Sequence, residues 1–137
     1  MNTEKLNLVQ QYAESVLSQL PPQFCYHNAQ HTEAVVAATI EIAQEEGVKD
    51  KALENLLMAA WLHDIGYSVS FDDHETHSIT LSQEFLAKIE CPQKVRYLFG
   101  GIFIKIQRIY FLFITLSTAS TIAAARPRPC GYAPGQE

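Results

Sequence analysis

Residues 58–78 read MAAWLHDIGYSVSFDDHETHS. The first five, MAAWL, are apolar throughout, and a helix with no polar face is a buried one. His63 and Asp64 close that run, so both side chains start from a buried position. A buried carboxylate is costly unless it is paired or holds a cation. Neighbours on a helix point about 100° apart, so this pair can converge on one ion near a helix end. The competing role for Asp64 is a local cap at the Gly66 turn. Residues 65–72 then read as a loop, with Tyr67–Phe71 as a short extended piece. Asp72 or Asp73 suits the N-cap of the next helix. His74, Glu75 and His77 fall in its first turns. A carboxylate at that end matches the helix dipole, an ordinary structural reason for Glu75, and His77 reads as solvated. His74 is the stronger site candidate because it follows the loop that leaves His63 and Asp64.

The flanking sequence is helical in pattern. Leu6, Val9, Ala13, Val16, Leu17 and Leu20 recur at helical spacing, and Pro21-Pro22 stops that helix. A second helix is predicted over 28–46, with Val35, Ala38 and Ile42 on one face and Gly47 as its stop. Asp50 reads as the N-cap of a third, whose stripe is Ala52, Leu53, Leu56, Leu57 and Ala60. Ile79, Phe85, Leu86 and Ile89 mark a fourth. Cys91-Pro92 restarts the chain into a fifth with Val95 and Leu98, because proline is tolerated at the first helical position. Successive 3.6-period segments without hairpin dipeptides predict an all-α bundle.

The 137 residues carry a formal charge of -5, which hides a break. Residues 1–90 hold 14 of the 15 acidic and 4 of the 10 basic residues, a formal −10, whereas 91–137 sum to +5. All 5 histidines (His27, His31, His63, His74, His77) lie in the acidic part. Clustered imidazoles among carboxylates suggest a metal or phosphate site; scattered surface histidines are the alternative. An acidic chain is a poor partner for a phosphate backbone, so nucleic-acid binding is not expected. Cys25, Cys91 and Cys130 form no CxxC pair and are expected to be reduced, mostly buried thiols. Charges and glutamines occupy the N-terminus where a signal peptide needs an apolar core, so a cytoplasmic location is expected. No Gly-rich phosphate loop and no G-x-S-x-G elbow is present.

The ordered set YHNAQHT at 26–32, AAWLHDIGY at 59–67 and HETHS at 74–78 resembles the HD-domain metal-dependent phosphohydrolase superfamily, over roughly residues 4–97. The resemblance implies a helical bundle around a divalent metal ion (Fe, Mn, Zn, Ni, Co or Mg), with His31, His63 and Asp64 as ligands. It places His74 beside a substrate phosphate or a second metal, with Glu75 near it, and gives Asp64 a second role in orienting water. His27, one turn before His31, would line the pocket or hydrogen-bond within the loop before the helix. The implied reaction is hydrolysis of a phosphomonoester or phosphodiester in a nucleotide-like or other small phosphorylated substrate.

The family's pattern normally closes with a further Asp, and no Asp follows Asp73. The expected domain is therefore residues 1–97, incomplete at its C-terminal side, followed by a divergent apolar and basic segment, 98–137. Ile109 to Ala125 is a run of 17 uncharged residues, at the lower edge of a membrane span. A buried terminal helix or strand, a weak membrane segment, and a replaced or frame-shifted end all fit this stretch. Alternatives to an active enzyme are a catalytically impaired HD-domain remnant that binds metal or ligand without turnover, and a protein weakly attached to a membrane through 109–125. Oligomeric state is not readable.

Overall fold

The computed structural model describes residues 3–21, 27–99 and 101–102, and every regular element among them is helical. The order is α1 (Thr3–Leu17), α2 (Ala29–Glu45), α3 (Asp50–Leu62), a 3-10 turn (Ile65–Ser68), α4 (His74–Lys88) and α5 (93–99, with 101–102 also helical). The segments 98–137 and 109–125 discussed above lie mostly or wholly outside the described residues, as do Cys25 and Cys130.

The helix ends follow the local chemistry, with some corrections. α1 stops at Leu17, before the prolines. Its last turn tightens through Gln19 N–H to the Val16 carbonyl and Leu20 N–H to the Leu17 carbonyl, both 3.2 Å. Asn28 caps α2, its side-chain oxygen accepting the His31 amide at 2.9 Å. Gly47 closes α2 in the left-handed region at φ 68°, with Val48 N–H returning to the Ala43 carbonyl at 2.8 Å. Asp50 is not the N-cap of α3. Lys49 holds that position, without a side-chain cap bond, and Asp50 is the first helical residue at φ 52°. Tyr67–Phe71 is not extended, because residues 65–68 wind into the 3-10 turn, which Tyr67 N–H closes on the Asp64 carbonyl at 3.1 Å. Asp73 occupies the N-cap of α4 without a side-chain bond.

α3 is the central element and packs against both α1 and α2, while the 3-10 turn packs against α4. Of the expected stripe on α3, Leu57 and Ala60 are in the core and Leu53 and Leu56 pack on it, whereas Ala52 is exposed; every residue from Leu57 to Leu62 is buried. These residues meet Val9 and Ala13 of α1, Val35 and Val36 of α2, and Leu86 of α4. Tyr12 and Phe85 stack at a centroid distance of 3.9 Å and join α1 to α4. From α5 the core takes Val95 and Phe99, whereas Leu98 is exposed; the expected boundary at 97 falls inside this helix. Each fully buried Leu or Phe of this kind contributes about 1.5–3 kcal/mol. Cys91 is a free, buried thiol, and burial pushes it up from its ordinary pKa.

Gly66 sets the distance between the 3-10 turn and α4. A Cβ there would overlap the carbonyl oxygen of His74 and lie 2.5 Å from the Ser78 amide nitrogen. The close approach lets Gly66 N–H donate to the Ser78 hydroxyl at 2.8 Å, and it delivers the start of α4 to the end of α3.

Candidate metal centre

Four side chains from three parts of the fold converge. Asp64 sits at the step from α3 into the 3-10 turn, and its carboxylate is only 3% exposed. The Oδ2 atom is 3.0 Å from His27 Nδ1, 3.2 Å from His63 Nε2 and 3.5 Å from His31 Nε2. Asp64 makes no side-chain cap bond to the 3-10 turn, so its carboxylate serves the histidines rather than the backbone. His31 comes from the first turn of α2. His27 precedes the Asn28 cap and reaches the carboxylate from outside the helix, so the pair does not share a helical face.

The charges follow from burial and these contacts. Burial opposes the Asp64 charge, but His63 and the hydrogen bonds from His27 and His63 hold its carboxyl far below the usual carboxylate range. Burial pushes His31 down to about 4, only partly offset by Asp64 and reinforced by His63 and His27, so its imidazole is neutral at pH 7. His63 goes the other way. Burial lowers it, but Asp64 and the Ala60 carbonyl outweigh that and hold it above its ordinary value. Its Nδ1–H donates to the Ala60 carbonyl at 2.8 Å, which leaves Nε2 facing Asp64.

That arrangement fits a cation. Donor atoms of His27, His31 and Asp64 all lie within 4.8 Å of one another. Small side-chain rotations bring such a spread onto one ion, whose ligands sit at about 2.0–2.2 Å. Imidazole and carboxylate donors suit borderline divalent ions and do not choose among them.

A family model described as HD domain matches residues 28–113. The chain belongs to the HD-domain family. No curated protein and no solved structure matches it. HD domains typically bind divalent metals, and His27, His31 and Asp64 form a triad that can hold one. His31, His63 and Asp64, the ligand set expected from the resemblance, are brought together, with His27 added directly on the carboxylate.

The remaining expected residues form an outer edge. His74 Nδ1–H donates to the Phe71 carbonyl at 3.1 Å, and its ring lies 6.2 Å from that of His27. Glu75 is exposed in the first turn of α4, and His77 is half-buried. Between His27 and His74 stands a residue the sequence reading did not select. The Tyr67 ring stacks on His27 and on His74, both at 4.0 Å between centroids. Burial, Asp64 and Glu75 keep its phenol well above the ordinary pKa, so the hydroxyl is neutral. Its only sequence signal was an amphipathic aromatic next to the H-D-I-G turn. No helix among the described residues is long and apolar enough to cross a membrane.

Proposed function

We propose that this chain is a metal-dependent phosphohydrolase that cleaves a small phosphomonoester or phosphodiester, and that it works in the cytoplasm. The observation that carries the reading is the convergence of three imidazoles on one buried carboxylate oxygen, Asp64 Oδ2, in an HD-domain chain. His27, His31, His63 and Asp64 would supply the ligands. A divalent ion held there would polarise a phosphoryl oxygen and make water more acidic.

The protein's own groups then divide the work. Asp64 holds charge rather than a proton, because its carboxyl is so far below the usual range; it binds and orients. Proton transfer falls to an imidazole with an open face. His74 has Nδ1 tied to the Phe71 carbonyl, which leaves Nε2 to accept a proton, or to donate to a phosphate oxygen when charged. A panel of phosphomonoesters and phosphodiesters, assayed with Mn, Fe, Zn, Ni, Co and Mg ions, tests this. Release of phosphate or alcohol that is lost in Asp64→Asn and His63→Ala is the expected result; no turnover with any ion would overturn it. A metal-binding remnant without turnover is the second reading, favoured by the absence of any Asp after Asp73, and the same panel separates the two.

A further inference from the structure

Beside the His–Asp cluster lies a cavity of about 510 Å³ between the end of α1 and the loop that follows Asp64. Its apolar walls are Val16, Leu20 and Pro21 on one side and Tyr67, Val69 and Phe71 on the other. The polar lining is Gln19, Ser68 and Ser70, so no charged residue lines it among those described. Gln19 is already turned to the Ser15 carbonyl and Ser68 to the Ile65 carbonyl. Val69 and Phe71 are 56% and 61% exposed, a pair of large apolar side chains offered to solvent where the core does not need them.

Tyr67 connects this cavity to the candidate metal centre. The ring that lines the cavity is the one that stacks on His27 at 4.0 Å, and Phe71 extends the aromatic wall at 5.7 Å from Tyr67. We propose that the cavity is a second subsite, which takes an uncharged aromatic group of the phosphoester while the phosphate sits at the His–Asp cluster. This deepens the phosphohydrolase reading and rests on it. A void of about 150 Å³ already accommodates benzene, so the available volume takes a ring with its linker. A lining without charge gives nothing to a second phosphate or a carboxylate and leaves it desolvated. The subsite therefore selects for esters with one phosphate and one apolar end. The exposed Phe71 ring favours stacking on a flat ring, whereas Tyr67, buried and already stacked on His27 and His74, holds the wall in place.

The test uses the full chain and two substrates of similar intrinsic reactivity, 2-phenylethyl phosphate and ethyl phosphate. The phenylethyl ester is expected to have a kcat/KM about tenfold or more above that of the ethyl ester, chiefly through KM. Val69→Asp and Phe71→Ser bring that ratio toward one; both positions are exposed, and thermal melts of the variants verify that they fold. A second readout needs no turnover: 2-phenylethanol, titrated into the protein, shifts the amide NMR signals of Val69 and Ser70, and the shift is lost in Val69→Asp. Turnover with a ratio near one, or no shift at those amides, overturns the subsite. Shifts at those amides without turnover of any ester uphold the subsite and overturn the phosphohydrolase reading instead.

Discussion

His63 Nε2 stands 3.2 Å from Asp64 Oδ2 while Nδ1 of the same ring is bound to the Ala60 carbonyl at 2.8 Å. With its proton on Nδ1, a neutral ring presents a lone pair to a carboxylate oxygen. Two acceptors that close repel unless a proton or a metal ion lies between them. The backbone carbonyl thus fixes which nitrogen is offered to the site, the usual arrangement for a ligating histidine. Removing Asp64 should therefore remove the ion. Asp64→Asn is expected to weaken Mn or Zn binding about 100-fold or more, since loss of an outer-shell partner alone costs about 10–100-fold. Calorimetric titration of the purified protein measures it; unchanged affinity would show that the ion binds elsewhere.

Metal affinity should rise with pH. A ligating imidazole must be neutral, so protons compete with the ion. His63 is held above its ordinary value and keeps its proton until the pH passes through that raised range. His31, pushed down to about 4, is already neutral and imposes no such cost near neutrality. The steep part of the affinity–pH curve is accordingly expected above pH 6.5 and not near 4, and a curve flat from pH 6 to 8 would contradict the assignment of His63. Affinities measured at half-unit pH intervals decide it.

Loading the site should also stabilise the fold, because the ligands come from segments far apart in the chain. An ion at about 100 times its Kd contributes about 2.7 kcal/mol. For a domain near 100 residues that corresponds to a melting shift of roughly 10–20 °C. A calorimetric scan with metal and then with excess chelator shows the difference. Equal melting temperatures would mean that the ion does not link α2 to the end of α3.

Thr32, next to His31, is fully buried and its hydroxyl has no hydrogen-bond partner among the described residues. Burying an unpaired hydroxyl costs about 1–3 kcal/mol. Thr32→Val keeps the shape and removes the polar atom, so it should raise stability by about 1 kcal/mol in chemical denaturation. A loss of stability would show that the hydroxyl has a partner after all.

Much of this was legible in the sequence because it lies in short patterns. The apolar run MAAWL puts His63 and Asp64 in the interior, and Gly47 ends α2 where a left-handed residue is needed. Other features depend on tertiary contact. The α3 stripe of Leu53, Leu56, Leu57 and Ala60 does enter the core, but Ala52 is exposed because the start of α3 lies at the surface, which periodicity alone does not encode. His27 reads in the sequence as lining the pocket or bonding within its own loop, and the fold instead carries it across to the Asp64 carboxylate, while Tyr67 joins the site only because the 3-10 turn sets its ring against two histidines.

The same turn yields the sharpest stability test. At Gly66 a Cβ would meet backbone on α4, the His74 carbonyl and the Ser78 amide, and backbone cannot swing aside as a flexible side chain can. Gly66→Ala must push the start of α4 away from the 3-10 turn, which breaks the bond from Gly66 N–H to the Ser78 hydroxyl and draws His74 from Tyr67. Overpacking of this kind costs about 1–3 kcal/mol, occasionally more, and the orphaned amide adds to it, so a loss of about 3 kcal/mol or more is expected in urea unfolding. Ser78→Ala isolates the second part. It removes the acceptor without adding a clash and should cost about 1–3 kcal/mol. If Gly66→Ala were as stable as the unaltered chain, the close approach of α4 to the 3-10 turn, and with it the placement of His74 beside His27, would be wrong.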